Sequence, residues 1–271
     1  MSGPERRPTH DEARAFYEDF ALAVGLRDWL EPNLRHEQLK LLIDDLLRGR
    51  SDLEIADIGC GAGVVTDHLR RYGRVTGVDF SAAAIAAARR LAPRVTFAVG
   101  GLDALPGDRY DLMTLFDVLE HIPAPERQEF VEALAARLAP NGLLFVSTPF
   151  PEATRFRHEA HDETLQIVDE QVELPQVIAE AAAAGLQLLR FEAFDVFAGS
   201  PEYQVMVFSP ARPFGGAAAL RPRALERRRR IVRDPRYRSL HRLRLAARAL
   251  AHGDAATAWW FARGRAPAVR S

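Results

Sequence analysis

DIGCGAG, residues 57–63, carries three glycines within five positions. It sits between the apolar run Leu53–Ile58 and a helix-like stretch, Val64–Tyr72. Glycines this dense after an expected strand mean that a backbone comes close to something, because a missing Cβ permits both the turn and the approach. A dinucleotide site needs G-x-G-x-x-G, with its pyrophosphate on the N-terminus of the following helix. Here the third glycine, Gly63, comes one place early and Val64 holds the sixth position. Asp57, two residues ahead of the first glycine, also argues against phosphate, since a carboxylate beside the loop repels it. The same charge attracts a ligand with a positive end.

Twenty residues after Gly59 comes Asp79, closing the run VTGVDF. An acid that ends the second strand is placed to accept both hydroxyls of a ribose. NAD sites share that feature. Combined with Asp57 and the tight glycine spacing, it favours S-adenosylmethionine, which has a sulfonium and an ammonium and no phosphate.

Outward from the loop, strands and helices alternate between residues 53 and 148. Strands are expected at Leu53–Ile58, Arg74–Phe80, Arg94–Val99, Tyr110–Phe116 and Gly142–Thr148. Helices are expected at Val64–Tyr72, Ala82–Leu91 (with Ser81 as N-cap) and Pro125–Leu138. Near-continuous apolar strands alternating with helices predict a parallel sheet covered on both faces. Residues 9–50 carry apolar positions at helical spacing, so 1–50 reads as an N-terminal helical cap ahead of a body at 51–210. Residues 149–170 break the pattern. They are polar, with two prolines and the histidines His158 and His161, and read as a long insertion near the strand ends. A helix follows at Leu174–Ala184, stopped by Gly185. The runs LQLLRFEAFDVF and YQVMVFSP, joined by AGSPE, read as antiparallel neighbours.

The 271 residues suit one large domain with additions. Cys60 is the only cysteine, which excludes an internal disulfide and a cysteine-based zinc site and fits a reducing, cytoplasmic setting. The start, MSGPERRPTHDEAR, lacks the apolar core of a signal peptide, and no apolar run approaches the ~20 residues of a membrane-spanning helix. The net charge of −1 hides an asymmetry. Residues 211–271 hold 16 arginines against 3 acids, a balance of +13, while the rest of the chain carries −14. An acidic body and a basic tail are different physical objects.

The body resembles the class I S-adenosylmethionine-dependent methyltransferases, in the branch of the ubiquinone-type O-methyltransferases. DIGCGAG matches the family's first motif, VTGVDFS its second, YDLMTLFDVLEHI its fourth-strand motif and LAPNGLLFVSTP its fifth-strand segment. The resemblance covers roughly residues 35–210. It implies a Rossmann-like, seven-stranded, mostly parallel α/β sheet of order 3-2-1-4-5-7-6, last strand antiparallel, with helices on both faces. It also implies S-adenosylmethionine as cofactor and S-adenosylhomocysteine as product. Asp57, Gly59, Gly61 and Gly63 fall on the methionine-contacting loop, Asp79 on the ribose acid and Phe80 on the residue flanking the adenine. The family's acid after the third strand is replaced here by Gly101, so the Leu102 backbone and Asp103 are assigned to the adenine instead. Phe116 and Asp117 end the fourth strand beside the expected methionine moiety, and Arg35 matches family arginines that meet the cofactor carboxylate.

Methyl transfer to oxygen also needs a proton removed, and His121 and His161 are the candidate bases. His121, with Glu120 in LEH, admits a purely structural role pinning the fourth-strand loop. No residue cluster argues for a required metal. The expected activity is therefore methylation, at oxygen, of a small-molecule or glycan-like acceptor. The alternatives are an RNA- or protein-modifying methyltransferase that grips its substrate with the basic tail, and a non-catalytic cofactor-binding module. The Arg-rich helical tail, 211–271, carries Leu240, Leu243, Ala247 and Leu250 at helical spacing, followed by Trp259, Trp260 and Phe261. It reads first as an amphipathic extension docked on the acidic body. A second reading is a peripheral membrane or lipid-linked-substrate contact through 224–263. Nucleic acid comes last, because no dedicated recognition module is visible.

Overall fold

A computed structural model describes residues 25–160, 169–197, 199–210, 234–253 and 255–263. Seven strands form one sheet: β1 Leu53–Ile58, β2 Gly73–Asp79, β3 Thr96–Val99, β4 Tyr110–Phe116, β5 Leu138–Pro149, β6 Leu186–Phe194 and β7 Tyr203–Pro210. Their order is β3-β2-β1-β4-β5-β7-β6. β1 pairs in parallel with β2 and β4, whereas β7 runs antiparallel to both β5 and β6. The expected order and the reversed seventh strand are both present.

Alternate side chains of each strand enter two cores, as the period of 2 requires. Leu143 and Phe145 of β5 face one layer, Leu144 and Val146 the other. The first layer holds α1 (Leu34–Leu46), α2 (Thr66–Leu69) and α3 (Ala82–Leu91). The second holds α4 (Ala124–Arg137) and α6 (Leu174–Ala183). Ser81 caps α3 by accepting from the Ala84 N–H at 3.0 Å.

Two expectations change. The helix after the glycine loop is short, Thr66–Leu69, because residues 59–65 are spent on the loop itself. In the polar segment after β5 there is a helix, α5 (Pro151–Glu159), rather than a plain loop. Pro151 opens it, Glu152 lies in its first turn and Arg157 and His158 in its last, the charge order that a helix dipole favours.

The basic tail forms α7 (Pro235–Ala251) and α8 (Ala255–Arg263). Leu245, Ala246, Ala249, Ala258 and Phe261 are buried in the first layer beside Trp29, Ile43 and Leu69. Arg248 pairs with Asp67 and Arg242 with Glu31 of the body. Among the described residues no helix is long and apolar enough to cross a membrane.

Candidate cofactor and active site

The candidate site lies along the carboxyl ends of β1, β2 and β4, where open α/β sheets bind ligands. After β1 the chain turns through Gly59, Gly61 and Gly63, with φ of +69°, +50° and +83°. All three lie in the region that L side chains avoid. Their surroundings differ. A Cβ on Gly59 would sit 2.3 Å from Val118 Cγ2, and one on Gly63 would sit 2.9 Å from the Phe97 ring. A Cβ on Gly61 would meet nothing within 4 Å. Two glycines are thus required by the protein's own packing, and the middle one faces open space.

Asp79 closes the loop from β2. Its carboxylate accepts the Gly61 N–H at 2.8 Å and the Ser81 N–H at 2.9 Å. Phe80, next in the chain, is a large apolar side chain with 58% of its surface exposed. A Cβ on Gly101 would lie 3.2 Å from the Phe80 ring and 3.4 Å from Asp103 Oδ1, so these three groups are neighbours. Leu102 and Asp103 lie in a 3-10 turn, Leu102–Ala104.

Asp57 differs from its expected placement beside a ligand. Its side chain turns under the loop, where it is buried and accepts from Thr66 Oγ1 and Thr114 Oγ1, each at 2.6 Å. Burial, and to a lesser extent the charge of Asp79, raise its pKa to about 6 against the help of the two threonines. Its negative charge acts beneath the loop rather than on its surface. Burial also raises the Cys60 thiol well above its ordinary value, with Asp57 and Asp79 adding to the effect, so this cysteine is not an activated nucleophile.

At the end of β4, Asp117 adopts φ +57°. It forms an ion pair with Arg35, from the first turn of α1, and accepts from Ser147 Oγ at 3.0 Å. The Arg35 guanidinium also lies over the Tyr203 ring, 5.5 Å from its centre. Phe116, partly buried against the first layer, makes an edge-to-face contact with Phe145 at 5.1 Å. Arg35 and Asp117, 82 positions apart in the chain, are brought together.

His121 lies in the 3-10 turn Leu119–His121, half-buried, four residues past Asp117. Its neighbour Glu120 is buried, and Oε2 has no hydrogen-bond partner. Burial is the largest cause raising its pKa to about 8; Asp169 adds to this, while its own N–H, Arg35 and Arg157 oppose it. The sequence pairs Glu120 with His121 as a candidate pin of this loop, but it does not signal the acid's burial. His161 lies outside the described residues. His158, at the end of α5, is exposed and bonds the Asp169 carbonyl through Nε2 at 2.8 Å.

The groups fit S-adenosylmethionine. The open space at Gly61 is a cradle that a Cβ would fill, the Asp79 carboxylate stands beside it at the end of β2, and Phe80 offers an exposed ring. A glycine loop closed by the acid of the next strand, set in this sheet order, is that of a class I S-adenosylmethionine-dependent methyltransferase.

The comparisons give the family. A model described as a methyltransferase domain matches residues 33–188, more than half of the chain, and the chain belongs to that family. S-adenosylmethionine is its cofactor. Over 161 residues the chain is 30% identical to the ubiquinone biosynthesis O-methyltransferase of Coxiella burnetii (strain Dugway 5J108-111), covering 54% of this chain. It spans 64% of that relative, just under two thirds of its length. It is 27% identical over 141 residues to the namesake from Histophilus somni (strain 2336), covering 45% of this chain and 58% of that one. Among solved structures, the Burkholderia thailandensis 1,6-didemethyltoxoflavin-N1-methyltransferase matches with a TM-score of 0.58 at 20% identity, over 78% of this chain and 94% of that one. The [4+2]-cyclase SpnF matches with a TM-score of 0.56 at 17% identity, over 78% of this chain and all of that one. At these identities the two structures establish the fold alone.

Proposed function

We propose that this methyltransferase acts on a hydroxyl group of a small-molecule or glycan-like acceptor. The observation that carries the reading is the 30% identity, over 161 residues, to a ubiquinone biosynthesis O-methyltransferase. When bound, S-adenosylmethionine supplies an electrophilic methyl carbon for in-line displacement. The chain's own residues then have three tasks. Asp57 and the glycines Gly59, Gly61 and Gly63 shape the methionine end of the cleft, with Arg35, Phe116 and Asp117 on its far side. Asp79 accepts ribose hydroxyls, while Phe80, the Leu102 backbone and Asp103 flank the adenine. Alignment of donor and acceptor supplies most of the rate. His121 takes the acceptor proton, with His161 as the second candidate.

His121→Ala should lower kcat by roughly 10²–10⁴-fold with a hydroxylated aromatic acceptor, leaving cofactor affinity nearly unchanged. If only His161→Ala does so, the base comes from the segment after α5. If neither matters, the acceptor ionises readily or is a nitrogen nucleophile. Absence of methylated product with any acceptor would favour the non-catalytic alternative.

A membrane-facing role for the tail is supported by a separate observation. Leu240, Leu243 and Leu250 are exposed on α7, with Arg236 and Arg244 exposed between and beside them. Apolar side chains among cations suit an anionic lipid surface or a lipid-linked acceptor. Co-sedimentation with anionic but not neutral vesicles is the expected outcome; equal non-binding to both would remove this role.

A further inference from the structure

The tail reaches the cofactor loop through two walls. On one side, the helical residues 25–30 lie against the loop: the Trp29 indole N–H donates to the Ala62 carbonyl at 2.7 Å in a buried contact. A Cβ on Gly25 would come within 2.5 Å of Ala62 Cβ. On the other side stands α2, whose Thr66 holds Asp57 and whose Asp67 N–H donates to the Gly63 carbonyl at 2.9 Å. Helix α7 grips both walls. His241 Nε2 donates to the Trp29 carbonyl at 3.0 Å. The Arg248 guanidinium lies 5.6 Å from the centre of the Trp29 ring and bonds both Asp67 oxygens, at 3.3 and 3.2 Å. Burial works against charge on Asp67, but Arg248 and Arg70 outweigh it and hold its pKa below the ordinary value.

Covering apolar surface does not require the bonds that His241 and Arg248 make to the two elements flanking one loop. That loop has a reason to need walls. Three glycines give it a large unbound ensemble, and the apparent affinity of a ligand falls with the fraction of the protein in the competent conformation. We propose that α7 is a positioning element for the cofactor: Arg248 and Trp29 hold the glycine loop in its binding conformation without touching the cofactor. This rests on S-adenosylmethionine binding at that loop.

Coupling between two sites is reciprocal. If a docked α7 favours binding, binding must favour a docked α7. The direct test is amide hydrogen exchange on the full-length protein with and without S-adenosylhomocysteine. Residues 59–66 should be protected, and residues 241–250 should gain more protection than α6 on the opposite face of the sheet. Protection at 59–66 with no excess at 241–250 over α6 overturns the inference. No protection at 59–66 sinks cofactor binding at this loop and the inference with it. Variants give the same answer by calorimetry. Trp29→Phe keeps the packing but loses the indole donor, and Arg248→Ala loses the bridge; each should weaken S-adenosylhomocysteine about three- to tenfold. Turnover at saturating donor should change less than twofold. Arg242→Ala removes an exposed contact to Glu31, at the far end of the first wall, that touches neither Trp29 nor Asp67, and should leave affinity unchanged. Unaltered affinity in the first two variants, or an equal loss in Arg242→Ala, contradicts the positioning role.

Discussion

Asp57 keeps a carboxylate where burial disfavours its charge, and that has a measurable sign. Its pKa in the folded protein, about 6, lies above the ordinary 3.8, so the native state binds more protons between those values. The resulting stabilisation is complete below about pH 4 and is lost as pH rises through about 6. Two units correspond to on the order of 3 kcal/mol. Asp57→Asn should therefore flatten the fall in stability between pH 4 and 7 that urea unfolding of the unaltered protein is expected to show. Glu120 titrates in both proteins and cancels in the comparison. Equal slopes would contradict the placement of Asp57. Its inward turn was not readable in the sequence, because its partners Thr66 and Thr114 lie 9 and 57 residues away and nothing in DIGCGAG specifies them. The glycines were readable as a set, but not their division of labour. Gly59→Ala meets Val118 and a left-handed φ together, and should cost roughly 2–4 kcal/mol of stability. Gly61→Ala carries only the conformational cost, about 1–2 kcal/mol, yet fills the cradle. It should bind S-adenosylhomocysteine more weakly than its modest loss of stability suggests, and wild-type affinity in calorimetry would contradict the cradle.

Elements with a strong apolar period were readable almost to the residue. β1, β4 and α3 run as the sequence implies, because near-continuous or helically spaced apolar residues leave one way to bury them. α5 was missed because its nine residues are mostly polar; only Pro151 and the order of its charges signal a helix. The contact between α4 and α6 also escapes patterning, since it is polar. Arg127, almost wholly buried, pairs through Nε with Glu180 Oε1 at 3.3 Å, while Arg127 Nη1 and Glu180 Oε2 lack partners. Removing one member leaves a buried charge alone. Arg127→Ala should cost about 3–5 kcal/mol in denaturant unfolding, and Arg127→Met with Glu180→Leu should recover most of it. An Arg127→Ala variant as stable as the wild type would contradict the burial of this pair.

At the scale of the whole molecule, the opposite charges of body and tail meet in defined pairs, Arg248 with Asp67 and Arg242 with Glu31. The sequence showed the two charge blocks but not their docking, because Trp29 and His241 stand 212 residues apart and no period links them. We propose the same division as before, a cap at 1–50, a methyltransferase body at 51–210 and a tail at 211–271, with the tail sharing the body's core through Leu245 and Phe261. The account stands on cofactor binding at the loop that Asp79 closes. Titration calorimetry of the intact protein with S-adenosylhomocysteine, beside Asp79→Ala, tests it most directly. The wild type should bind at one site, and the variant should lose about 1–3 kcal/mol of affinity, since Asp79 holds the Gly61 N–H of the loop and is proposed to accept the ribose hydroxyls as well. No binding by the wild type, or equal affinity in the two proteins, would contradict it.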